Sequence, residues 1–236
     1  MERLAHVEEL EGVASGFAAT RDGIDTMLRD RGLRQTPPEL TAESLLRGAH
    51  ASAVLAGSSS TLDECRVGAG DPTAQAALRV SVELLALVPV FSRTPLQALA
   101  RLHTLAAAGS VTDDEIGRPR DPASAARLRE VATLVGGSLP ALLRAALVHA
   151  ELATSAPFGS ADGLVARAAE RLVLVTGGVD AKSLVVPEAG HLALRAAYES
   201  TLRAYAGGSR AGVQAWLLHC AAAYAAGAEA SPLRDG

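Results

Sequence analysis

The sequence predicts an all-α protein, and three observations carry that expectation. Hydrophobic residues make up 49% of the 236 residues but aromatics only 3%. The core must therefore be built mostly of Ala, Leu and Val, and Ala is the strongest helix former. Second, helix-start pairs recur: Asp71-Pro72, Thr94-Pro95 and Asp121-Pro122 each put a capping residue before a proline at the first helical position. Third, the helical stretches end on glycine pairs, at Gly136-Gly137, Gly177-Gly178 and Gly207-Gly208.

The elements follow in chain order. Residues 3–32 carry Leu4, Val7, Val13, Phe17, Ile24 and Leu28 at mixed three-and-four spacing, which predicts a helix that Gly12 and Gly16 weaken. Thr36-Pro37-Pro38 breaks the chain. A second helix is expected from Pro38 to Leu55, ending at Gly57, followed by a loop to Asp71. Further helices are expected from Pro72 to about Val88, from Pro95 to the stop at Gly109, and from Pro122 to the Gly136-Gly137 pair. Residues 110–120 are polar and read as a hairpin or flap. An apolar helix then runs from Leu139 to about Thr154, with a turn at 157–160 and a helix from Asp162 to Thr176. Two last helices are expected over residues 187–206 and 211–226. No fixed-period repeat or long linker divides the chain, so one domain is expected over residues 1–236. Its N-terminal helices lie at 3–57, its core at 71–206 and its closing helix at 209–228.

Charge and composition exclude several functions. The net charge is −4, and no basic stripe alternates with aromatics, so a nucleic-acid surface is not expected. Lys182 is the sole lysine among 22 basic residues, a composition bias toward Arg. The start Met1-Glu2-Arg3-Leu4 lacks the apolar stretch of a signal peptide, and no apolar run approaches the roughly 18 residues of a membrane span. A cytoplasmic protein with no membrane partner is expected, with Cys65 and Cys220 as reduced thiols. Generic motifs fail. Gly68-Ala69-Gly70 has Thr73 at the sixth position of a dinucleotide loop, and no strand precedes it. His149-Ala150-Glu151 lacks the P-C-x-x-C of zinc deaminases. Glu188-Ala189-Gly190-His191 is a single copy of a spacing that di-iron bundles need twice. No G-x-S-x-G elbow exists. The six His are scattered and read as structural or surface-exposed rather than as ligands.

Residues 146–175 are the informative stretch. An apolar helix, a Pro157-Phe158 turn, a loop containing Gly163 and a second helix with Arg167 in its first two turns follow in order. Loop amides and a helix N-terminus would point at one spot with an Arg beside it, the layout of an anion nest.

This stretch resembles the Fic/Doc (Fido) family, whose pattern is H-P-F-x-x-G-N-G-R-x-x-R. Pro157, Phe158, Gly163 and Arg167 match it, and His149 lies seven residues before the motif, as in many members. The likeness extends over most of residues 40–228. Ser52-Ala53-Val54-Leu55-Ala56-Gly57 resembles the family's inhibitory-helix pattern S-x-x-x-E-G. Gly117-Arg118-Pro119-Arg120 stands where the family has its target-docking flap, and the tail with Tyr198, Gly207-Gly208 and Trp216 resembles the closing helices. The resemblance implies a Fic-like helical bundle with a short β-hairpin flap near residues 110–120.

The departures from the pattern bear on function. Family members transfer AMP or another phosphate-containing group to a hydroxyl, with the motif His as general base. That position is Ala156 here, which accepts no proton. The acidic magnesium-holding position is Ser160, a weak neutral ligand. The Asn is Asp162, the first Gly is Ala161 and the first Arg is Leu164. The inhibitory Glu is Ala56, so the brake has decayed along with the activity it would restrain. The resemblance therefore implies a catalytically degenerate protein, unable to transfer AMP and acting as a binding or regulatory module. No catalytic residue, cofactor or metal is expected, and the partner is a protein or a second copy of the chain. The alternative is an enzyme of altered chemistry that binds a nucleotide or other phosphate ligand near Gly163 and Arg167, with Asp162 or His149 as acid or base. Ligand-binding candidates are Phe158, Asp162, Gly163 and Arg167. Against them, Phe158 reads as a core anchor and Asp162 as a helix cap. Arg167 could instead pair with Glu170 or Glu151 or face solvent. Arg118 and Arg120 could dock a partner strand or form an ordinary basic turn. Trp216 and Tyr224 read as core.

Overall fold

A computed structural model describes residue 4, residues 6–30 and residues 37–235. The ends of the first expected helix, at 3 and 31–32, and Thr36 of the first break lie outside the described residues. Within them the chain forms α-helices, short 3-10 turns and no strand. The helices are α1 (Val13–Asp30), α2 (Pro38–Leu55), α3 (Leu62–Arg66), α4 (Pro72–Glu83), α5 (Val88–Arg93), α6 (Pro95–Ala107), α7 (Pro122–Val135), α8 (Ala141–Ser155), α9 (Asp162–Thr176), α10 (Pro187–Ala193), α11 (Arg195–Ala206) and α12 (Arg210–Glu229). No single helix among the described residues is long and apolar enough to cross a membrane.

The centre is an αα-hairpin of α8 and α9, joined by the short turn at 156–161. Residues Leu164 to Leu174 of α9 are buried without interruption, and α8 is buried from Ala145 to Leu152. Helices apolar almost all round must lie inside. The remaining helices wrap this hairpin: α1, α7, α11 and α12 pack on α8, while α2, α4, α5, α6 and α10 pack on α9. α10 and α12 meet backbone to backbone. A Cβ on Gly190 would lie 1.8 Å from the Ala223 carbonyl oxygen, and one on Gly227 would lie 2.7 Å from that of Val186. Only glycine permits this approach.

Most expected elements form, and the differences have local causes. The first helix begins only at Val13, after Gly12 takes a φ of +77° and a 3-10 turn forms at Val7–Glu9. The helix from Pro72 ends at Glu83, and a 3-10 turn and α5 continue it, because Pro89 has no N–H to offer the turn before it. The expected loop at 57–71 contains α3, started by a capping box. The Thr61 hydroxyl accepts from the Glu64 N–H, and the Glu64 carboxylate accepts from the Thr61 N–H. Residues 110–120 form a run of turns rather than a β-hairpin. Thr112 donates its N–H and hydroxyl to the Glu115 carboxylate, and the Arg118 N–H bonds the Glu115 carbonyl. Local side-chain bonds thus satisfy backbone groups that a strand ladder would need.

Candidate functional site

The N-terminus of α9 opens on a cleft of about 530 Å³. Ala161 to Leu164 form one wall, with Leu55 and Ala56 at the end of α2, Pro72 to Arg79 on α4 and the end of α6 around it. The N-termini of α4 and α9 both border this space, whose charged lining residues are Arg79, Arg167 and Asp162. Arg79 is held by the Leu105 and Ala108 carbonyls at 3.0 and 3.2 Å.

The turn that carries the motif is strained. Ala156, at the end of α8, has a φ of +43°, and Ala161, just before α9, a φ of +52°. Alanine in the left-handed region costs about 1–2 kcal/mol, so neighbouring bonds must hold both residues there. Asp162 supplies one of them. Its carboxylate reaches back to accept the Phe158 N–H at 3.0 Å, and burial pushes that carboxyl above its ordinary value. Asp162 therefore does not cap α9 as expected: it is the first residue of the helix, whose N-cap position is Ala161 with no side-chain cap, and its carboxylate serves the preceding turn instead.

His103 of α6 ties the remaining motif residues together. Its ring stacks on Phe158, with centroids 4.3 Å apart and planes 6° apart. Its Nδ1 accepts the Gly117 N–H at 2.9 Å, so the ring carries its proton on Nε2 and donates it to the Ser160 hydroxyl at 3.1 Å. Burial holds its pKa below the ordinary His value. Phe158 is thus a core anchor, and Gly117 is held against the motif turn. Arg120 adds a backbone bond from its N–H to the Pro157 carbonyl at 3.0 Å, and its side chain bonds Ser124 and the Ser155 carbonyl. Arg118 is exposed.

Arg167 is 3% exposed and turned inward. Nε donates to the Ser52 hydroxyl at 2.8 Å, Nη2 to the Ser52 carbonyl at 2.9 Å and Nη1 to the Tyr198 hydroxyl at 3.2 Å. No ion pair with Glu170 or Glu151 stands among the described contacts. The structure therefore places Ser52 on Arg167, while Ala56 and the exposed Gly57 end α2 at the cleft rim. Gly163 faces Arg167 closely enough that a Cβ there would sit 3.3 Å from Nη1.

His149 does not reach the cleft. It lies wholly inside the protein, with Glu170 of α9, His191 of α10 and Tyr198, His219 and Tyr224. Nε2 of His149 meets the Tyr198 hydroxyl at 3.0 Å, and Tyr224 donates to Glu170 at 2.7 Å. Burial lowers the pKa of His149 to about 4. Burial alone would raise that of Glu170, but the facing His149 and His191 rings override it and hold the carboxyl below its ordinary range. Reading the His residues singly hides this cluster, because its members lie on five different helices. Cys65 and Cys220 are free and buried.

No protein-family model matches the sequence, and no curated protein matches it. Among solved structures, the chain is similar to a Fic family protein from Desulfovibrio desulfuricans G20. The two share 15% identity and superpose with a TM-score of 0.73, over 92% of this chain and 74% of that one. The chain therefore has the Fic fold.

Proposed function

We propose that this protein is a Fic-fold binding or regulatory module that does not transfer AMP. One observation carries the reading. Arg167, the motif's remaining cation, spends all three guanidinium nitrogens on Ser52 and Tyr198 inside the protein. The general-base position beside it is Ala156, and the nearest carboxylate, Asp162, caps the Phe158 N–H. Alanine at that position accepts no proton, and loss of a general base costs about 10²–10⁴ in rate. Such a module works through a protein partner or a second copy of itself. Incubation with Mg²⁺ and labelled ATP, GTP or CDP-alcohols is expected to leave no covalent label on this chain or on lysate proteins. A labelled adduct overturns the reading.

A second reading rests on the cleft itself, where two helix N-termini and Arg79 border the space beside Gly163. In that reading the site still holds a nucleotide or other phosphate-containing ligand, with or without altered chemistry. Calorimetric titration with ATP and with pyrophosphate separates the two. Binding that Arg79→Ala abolishes favours the second reading, and no heat of binding favours the first.

A further inference from the structure

Glu170 is a carboxylate sealed in the core, and the groups around it are rings and hydroxyls. The described ion pairs give it only His149 and His191 as partners. Burying a charge is costly, and the nearby buried cation, Arg167, reaches this cluster only through the Tyr198 hydroxyl, so no cation touches the carboxylate itself. His149 Nδ1 lies 3.0 Å from Glu170 Oε2, and His191 Nε2 lies 3.1 Å from both Oε1 and Oε2. The ligand-bearing atoms of the three residues fall within 4.8 Å of one another. We propose that His149, Glu170 and His191 form a structural site for a divalent first-row transition metal, with Zn²⁺ the expected ion. This inference is independent of the reading of the cleft.

Four observations support it. Two imidazoles and a carboxylate are a donor set that Zn²⁺ and its neighbours accept, and magnesium and calcium do not prefer it. The contact at His149 is close but is not a hydrogen bond. Nδ1 is close to Oε2 yet lacks hydrogen-bond geometry, and it stands without a hydrogen-bond partner. A hydrogen bond wants the N–H aimed along the N···O line. A metal about 2.1 Å from both atoms would instead lie about 45° off that line, given usual Zn–N and Zn–O lengths. Next, His191 Nε2 hydrogen-bonds both Glu170 oxygens at 3.1 Å, so an ion replacing that proton would find both oxygens available and four protein donor atoms in all. Finally, outer partners are in place. His149 Nε2 meets Tyr198, His191 Nδ1 meets His219 Nε2 at 3.0 Å, and Glu170 Oε1 takes Tyr224. Ligating His rings almost always bond through their other nitrogen in this way. With every ligand enclosed, no substrate could enter. The ion would tie α8, α9 and α10 together, and α10 is only seven residues long.

The test uses the full chain, purified without chelator. Elemental analysis is expected to find one transition-metal ion per chain. After chelation, Zn²⁺ should restore the thermal midpoint, and Co²⁺ should give the visible absorption of a low-symmetry nitrogen–oxygen site. Glu170→Gln should lose stoichiometric binding, and Tyr198→Phe should weaken it about 10–100-fold as an outer-partner loss. If wild-type protein takes up no stoichiometric metal and its thermal midpoint ignores both chelator and Zn²⁺, the proposal is wrong. It is equally wrong if folded Glu170→Gln binds as wild type does. Should Glu170→Gln not fold, His191→Gln and the wild-type measurements still decide the matter.

Discussion

The motif turn at 156–161 and the cluster around Glu170 grow from the same two helices, and they carry opposite chemistry. At the turn, the positions that would handle protons, metal and phosphate are Ala156, Ser160, Ala161 and Leu164, and the polar groups that remain serve the backbone. A few residues further along α9, a carboxylate, three imidazoles and two phenols are packed together out of contact with water. Tyr198 joins the two regions, because its hydroxyl meets both Arg167 and His149. The contrast teaches that ionisable residues mark function only where something can reach them. Here the accessible region is chemically plain and the chemically rich region is closed. The one is fit for recognition and the other for holding the fold.

The comparison can be broken most sharply by truncating one acid in each region. Glu170→Ala should cost about 3–5 kcal/mol, since it leaves two imidazoles and a phenol buried without their shared acceptor. Asp162→Ala removes one cap on the turn and should cost about 0.5–2 kcal/mol. Urea unfolding of both variants measures the difference, and equal losses would erase the distinction drawn between the regions.

A smaller effect concerns His103, whose neutral ring holds Gly117 to the motif turn. Its folded pKa lies below the ordinary His value of 6.5. The unfolded chain therefore takes up the proton first as pH falls. The ring's contribution to stability is complete above about pH 6.5 and declines below it. Once the ring is protonated, Nδ1 can no longer accept from Gly117, a bond worth about 1 kcal/mol. Hydrogen exchange, corrected for its intrinsic pH dependence, should show the Gly117 amide losing protection only as pH falls below about 6.5, the ordinary His value. Unchanged protection would show that the loop at 110–120 does not depend on this ring.

The smallest effect tests the strain in the turn. Ala161→Gly relieves a left-handed alanine worth about 1–2 kcal/mol. It also loosens the unfolded chain by about 0.4–1 kcal/mol. A net gain between about 0 and 1.6 kcal/mol is expected in denaturant unfolding. A loss instead would mean that the Ala161 methyl packs more favourably than its backbone conformation costs.

Much of the fold was legible in order along the chain. Asp71-Pro72, Thr94-Pro95 and Asp121-Pro122 each open a helix at the expected proline, and Pro38–Leu55 and Asp162–Thr176 form with the expected limits. These signals are local, because a cap or a proline acts within one turn. The capping box at Thr61 and Glu64 was equally legible, and the serines and glycines around it obscured it. The β-hairpin expected near residues 110–120 does not form, because Thr112 and Glu115 close a turn on themselves. At the site, Phe158 and Trp216 are buried as expected. The partners of Arg167 were not foreseen, since Ser52 stands 115 residues away.

By itself, then, the sequence determined where helices begin and end, that the core would be small and aliphatic, and which residues at the motif turn lack proton-handling groups. Tertiary structure alone decided that Ser52 would take Arg167 and that His149, Glu170 and His191 would meet. The physical reason lies in the range of the forces. Helix signals repeat every few residues and can be read from neighbours. Which buried polar groups meet depends on how closely helices cross, and here that is set by contacts such as Gly190 against the Ala223 carbonyl.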